Sequence, residues 1–132
     1  MPVPSYPGNR HFVSAADGTA VLVPTTAQER FQLSADKVQA HWGQHTRGGT
    51  GNTRGVLLAS PSNPTGASVD PDELRRIHNL VHPHGGITLI DEISLALSNE
   101  PQDGQAALAI DQSIVTNNRS ANYLHMNDWR LS

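Results

Sequence analysis

Apolar residues in this chain fall into short bursts separated by polar and Gly/Pro-rich stretches, and two periodicities alternate along it. Residues 55–59 (Gly-Val-Leu-Leu-Ala) and 87–90 (Ile-Thr-Leu-Ile) are compact runs of strand length. Such runs are expected of parallel strands covered on both faces. Between them Leu74, Ile77 and Val81 recur at helical spacing, and that helix carries strong punctuation. Asp70 is placed to cap it, Pro71 suits its first position, and Glu73 completes a capping box. Pro83 and Gly85-Gly86 end it. Ser34 predicts a second helix start, running to about Trp42 with Val38 and Trp42 on one face. Residues 20–24 and 114–116 read as further strands, 106–110 as a short helix or turn, and 11–14 as a short strand inside a loop-like stretch from 1 to 18. The alternation predicts an α/β domain, a mostly parallel sheet with helices on both faces. No linker interrupts it, so residues 1–132 are read as a single domain.

Composition narrows the function classes. The net charge is −3 with acids and bases interspersed, so no electrostatic footprint for nucleic acid or an anionic membrane is expected. No apolar run approaches the length of a membrane span. The chain contains no cysteine, which excludes disulfides, thiolate catalysis and cysteine-based zinc sites. A soluble, cytoplasmic protein is the expectation. There is one lysine, Lys37, read as a solvated side chain on its helix, and there are seven histidines.

Two loops follow the carboxyl ends of predicted strands, where ligands of open α/β sheets bind. In the first, Ser60-Pro61-Ser62-Asn63-Pro64-Thr65-Gly66, prolines on both sides of the Ser-Asn pair stiffen the backbone and present the Asn63 amide. An ordinary strand-to-helix turn would use the same residues. In the second, Asp91 is the first carboxylate after an apolar strand, a costly place for a charge unless a cation pairs with it. A protonated pyridine nitrogen or an arginine would serve.

Taken together, Ser-Pro-Ser-Asn-Pro-Thr-Gly and the later Leu89-Ile90-Asp91-Glu92-Ile93 resemble the paired signature of the class I/II, fold type I aminotransferases that use pyridoxal phosphate (PLP). Pro4-Ser5-Tyr6-Pro7 resembles the segment supplying the ring stacked on the cofactor. Pro71-Asp72-Glu73-Leu74 resembles the helix after the asparagine loop. Tyr123, Met126 and Trp129-Arg130-Leu131 resemble the end of the lysine motif. The resemblance implies that the chain is the central part of a large, PLP-binding domain, truncated at both ends. It further implies that Tyr6 stacks on the pyridine ring and that Asn63 hydrogen-bonds the ring hydroxyl oxygen. Asp91 would hold the ring nitrogen protonated, and Arg130 would pair with the phosphate. The activity implied is amino-group transfer between an amino acid and a 2-oxo acid, in an enzyme that can be a homodimer.

Departures from that pattern point the other way. Eight positions before Arg130, where the family has its PLP-linking lysine, stands Asn122. An amide can neither bond covalently to the PLP aldehyde nor carry a proton, so no catalytic residue is assigned and no turnover is expected. Ser94 stands where a tyrosine is usual and Arg119 where a phosphate-binding serine is usual, while Asp128 and Ser132 replace glycines. Polar residues at 94, 99, 103 and 128 are expected to face water on surfaces that lost their cover. The near-duplicate Thr-Arg-Gly at 46–48 and 53–55 resembles a spliced loop. Three readings therefore stand: a module that binds PLP weakly without catalysis, an engineered or degenerate scaffold with no ligand, and part of an active aminotransferase completed by another chain. His78 and His82, at i and i+4, have metal-pair spacing but lack a motif carboxylate and are read as helix-end histidines that suit the dipole. The sequence assigns no metal site.

Overall fold

The computed structural model describes residues 1–43, 52–95 and 106–117. All described strand pairs are parallel. In the three-stranded sheet, β3 (Gly55–Ala59), β4 (Ile87–Asp91) and β5 (Val115–Asn117) lie in that order. A two-stranded unit pairs β1 (Pro2–Val3) with β2 (Val23–Pro24). The helices are α1 (Gly8–Ala15), α2 (Ala35–His41) and α3 (Pro71–Val81). This is the expected α/β architecture.

Helix α3 follows its sequence signals closely. The Asp70 carboxylate accepts from the N–H groups of Asp72 and Glu73 at 2.9 and 3.1 Å, and Gly85 ends the segment with φ +70° after one tight turn. Leu74, Ile77, His78 and Val81 form the buried stripe. Glu73 departs from expectation: its Oε1 accepts from the Ala35 N–H of α2 at 2.6 Å, and its Oε2 accepts from Arg76 at 2.8 Å. The carboxylate thus caps a neighbouring helix instead of closing its own box. Ser34 caps α2 as expected, accepting from the Lys37 N–H at 3.3 Å.

Three further expectations are corrected. Residues 11–14 belong to helix α1, whose single buried side chain is Asn9; Phe12 is 70% exposed. The adjacent apolar pair Phe12-Val13 lies on a helix that buries almost no apolar surface. The strand read at 20–24 shortens to Val23–Pro24. In β3 and β4, Val56, Leu58, Thr88 and Ile90 are buried, Leu57 and Leu89 are half-buried, and Gly55 and Ile87 are exposed. One face is thus fully covered and the other partly, although the sequence runs are almost unbroken.

The core joins Val56, Leu58 and Ile90 of the sheet to Leu74, Ile77 and Val81 of α3, Val38 of α2, and Val23 and Leu33 from the N-terminal third. Between the layers Gly86 lies against Trp42. A Cβ at position 86 would fall 2.6 Å from the indole ring and 2.8 Å from Val81 Cγ1.

Candidate functional site

The register of the sheet builds the site. Ala59 lies opposite Asp91, and Asp91 lies opposite Asn117, so the carboxyl ends of β3, β4 and β5 meet along one edge. The chain leaving β3 is tied down at once, the Ser60 N–H donating to the Asp91 carbonyl at 2.9 Å. Ser60 Oγ then accepts from the Val69 N–H at 3.0 Å. Ser62 donates to the Ala67 carbonyl at 2.9 Å, and Gly66, at φ +70°, donates back to the Ser62 carbonyl at 2.7 Å. Buried serines hold the two ends of this bracket while Asn63 stands exposed at its tip. The Ser60–Pro61 and Asn63–Pro64 peptides are cis.

The Asp91 side chain is half-buried. Its Oδ1 accepts from the Ile93 N–H at 3.1 Å and from Asn117 Nδ2 at 3.3 Å. Asp91 therefore ends β4, and Asn63 lies in the loop that follows the neighbouring strand β3. Tyr6 is 48% exposed beside β1, where its ring covers Gly8, and no hydrogen bond joins it to Asn63 or Asp91 among the described residues. Arg130, Asn122, Arg119 and the rest of the 118–132 stretch lie outside the described residues, as do Asn99, Asp103 and the loop at 44–51. Ser94 is half-buried.

Lys37 is not a free, solvated amine. Its Nζ pairs with Glu29 at 2.7 Å and donates to the Pro24 carbonyl at 2.8 Å. The Lys37 hydrogen bond to Glu29, with those from Thr26, holds the Glu29 carboxyl below its ordinary range.

Two polar residues escaped the sequence reading. Glu92, 3% exposed, accepts from the Ala107 N–H at 2.7 Å, and burial pushes its pKa up against that hydrogen bond. The folded chain thus holds the Glu92 proton to a higher pH than the unfolded chain does. Stability is expected to fall as pH rises from the ordinary carboxylate range through the raised folded value, then to level off. Urea midpoints measured across that range should show the slope, and Glu92→Gln should flatten it. The second is His78, 3% exposed. Its Nδ1 lies 3.2 Å from Thr88 Oγ1 and its Nε2 3.0 Å from Ser113 Oγ. His78, in the last turn of α3, is a buried cross-link between that helix and the sheet. Among the described residues no group of three ligating side chains is placed to hold a metal, and no helix is long and apolar enough to cross a membrane.

Comparison with known proteins points in one direction. The family model for aminotransferase class I and II matches residues 1–117. Over 132 residues the chain is 33% identical to a Bacillus subtilis (strain 168) protein named "Probable N-acetyl-LL-diaminopimelate aminotransferase", covering 99% of this chain and 31% of that one. It is 32% identical over 133 residues to the valine–pyruvate aminotransferase of Mycobacterium tuberculosis, covering 99% and 32%. Among solved structures, an aminotransferase from Mycobacterium tuberculosis superposes with a TM-score of 0.81 at 29% identity, over 98% of this chain and 34% of that one. The chain spans about a third of the length of the relatives it matches.

Proposed function

The chain belongs to the class I and II aminotransferase family, and we propose that its own part in that chemistry is to hold PLP noncovalently without turning over substrate. The observation that carries this is the strand register that pairs Ala59 with Asp91 and ties the start of the loop bearing Asn63 to the Asp91 main chain. The donor set suits the ring of PLP. A carboxylate at the end of β4 is the partner a protonated pyridine nitrogen needs. An exposed amide on a braced loop can donate to the ring hydroxyl oxygen. Tyr6 supplies an aromatic face with about half its surface open, and Arg130 the fork for the phosphate. Bound PLP supplies an electron sink through its protonated ring.

What is missing is a lysine at the position the family uses to link the cofactor. Asn122 occupies the lysine position, and Lys37 is held by Glu29 and the Pro24 carbonyl. An amide can neither attach the cofactor nor move the substrate proton, and the Lys37 amine is engaged elsewhere. In this reading an amino acid and a 2-oxo acid are the substrates of the whole enzyme, a homodimer its assembly and the cytoplasm its setting.

PLP titration followed by absorbance tests the proposal. A saturable spectral change is expected that borohydride does not convert into a mass adduct on the polypeptide. Asp91→Ala should weaken that binding by about 10- to 30-fold, the worth of one charge-assisted hydrogen bond. No spectral change would favour the ligand-free scaffold, and a borohydride-fixed adduct would mean that an amine is supplied after all.

A further inference from the structure

We infer that Asn117 is a positioning residue for Asp91, selecting which carboxylate oxygen is offered to a cofactor ring nitrogen; the inference rests on the PLP reading above. Asn117 is the last residue of β5 and lies directly opposite Asp91 in the parallel ladder. Its Nδ2 donates to Oδ1 at 3.3 Å, and the Ile93 N–H donates to the same oxygen at 3.1 Å. Both donors therefore fall on Oδ1, and among the described residues Oδ2 receives none.

A carboxylate offers about four lone-pair sites on its two oxygens. Two fixed donors on one oxygen stop rotation about Cβ–Cγ and leave the other as the acceptor for an incoming N–H. Neither an amide N–H nor a backbone N–H can accept a proton, so a proton shared with the ring belongs on Oδ2. The sheet also fixes the main chain that carries both side chains. The Asn117 main-chain carbonyl accepts from the Glu92 N–H at 2.8 Å, so the backbone of the residue that orients Asp91 is itself held by the backbone beside Asp91. Asn117 is exposed, and water competes for its amide. A ring lying over the site would exclude that water and strengthen the pair.

The test compares PLP with an analogue carrying carbon in place of the ring nitrogen, both bound noncovalently to the full chain. Asn117→Leu is expected to weaken PLP by about tenfold and the analogue by less than about twofold, because only PLP uses the oriented oxygen. Equal weakening of both would assign Asn117 a merely structural role and overturn the inference. A readout without cofactor stands beside it. In nitrogen-15-labelled protein the Asn117 side-chain amide resonances should move in the Asp91→Ala variant; resonances that stay in place overturn the inference. A wild-type chain that binds neither compound defeats the PLP reading, while the amide response still decides whether Asn117 holds Asp91.

Discussion

Ile77→Ala is expected to cost about 3–4 kcal/mol, read as a lower urea midpoint with an unchanged slope. Ile77 is fully buried in the middle of the α3 stripe, within the cluster that includes Leu58, Ile90 and Val38. Removing its outer carbons forfeits their transfer energy and leaves a cavity. That cavity is hard to close, because α3 is fixed by the Asp70 cap at one end and by the tight turn before Gly85 at the other. A small domain is stable by only about 5–15 kcal/mol, so this one change consumes a large share. Ile77→Val, which loses one methylene, should cost about 1 kcal/mol. Arg75→Ala, on the outer face of the same helix and paired only with exposed Asp72, should fall within about 0.5 kcal/mol of wild type. An Ile77→Ala loss no larger than that of Arg75→Ala would mean that the helix does not pack as described.

His78→Ala is expected to cost about 3 kcal/mol, for a different reason. The imidazole is the described partner of the fully buried Thr88 hydroxyl. Its removal strands that oxygen as well as opening space, and an unsatisfied buried hydroxyl costs about 1–3 kcal/mol. The cause can be separated from lost packing by a double-mutant cycle. Adding Thr88→Val to His78→Ala should recover about 1 kcal/mol, since the stranded group is then gone. Ser113→Ala alone should cost less than about 1 kcal/mol, because Ser113 is exposed and water can replace it at Nε2. If the double variant is no more stable than His78→Ala, the Thr88 hydroxyl is not what the histidine satisfies.

These two residues mark how far the sequence could be read. Ile77 was legible as core because a helical stripe needs only spacing, and Asp70, Pro71 and Gly85 fix the ends of α3 through local backbone chemistry. His78 was not, because its partners come from β4 and from the turn before β5. Its neighbours along the helix invited a reading in terms of the helix dipole alone. Glu73 misled for the same reason. A capping box is a local expectation, and the close approach of α2 offered its carboxylate another N–H. Helix α1 reads as strand and loop in the sequence because it presents Phe12 outward and buries almost nothing, so no apolar period marks it. At the site, Asp91 is legible as the first carboxylate after an apolar run, and Asn63 through the prolines on both sides of its Ser-Asn pair. Asn117 ends the third strand, Val-Thr-Asn, with no such mark, and its value depends on a parallel register that no single segment encodes.

Gly86 has a consequence for how this fold can vary. Its restriction comes from crowding: the Trp42 indole and a Val81 methyl already fill the place where a side chain would start. The two layers are thus keyed to one another by an absent carbon atom, as a tongue fits a slot. Even alanine there would wedge the tryptophan outward, pulling at α2 and, through Glu73 and Ala35, at the start of α3. Drift at this seam is expected to run through position 42 first, with a smaller ring opening the room that any change at 86 would need.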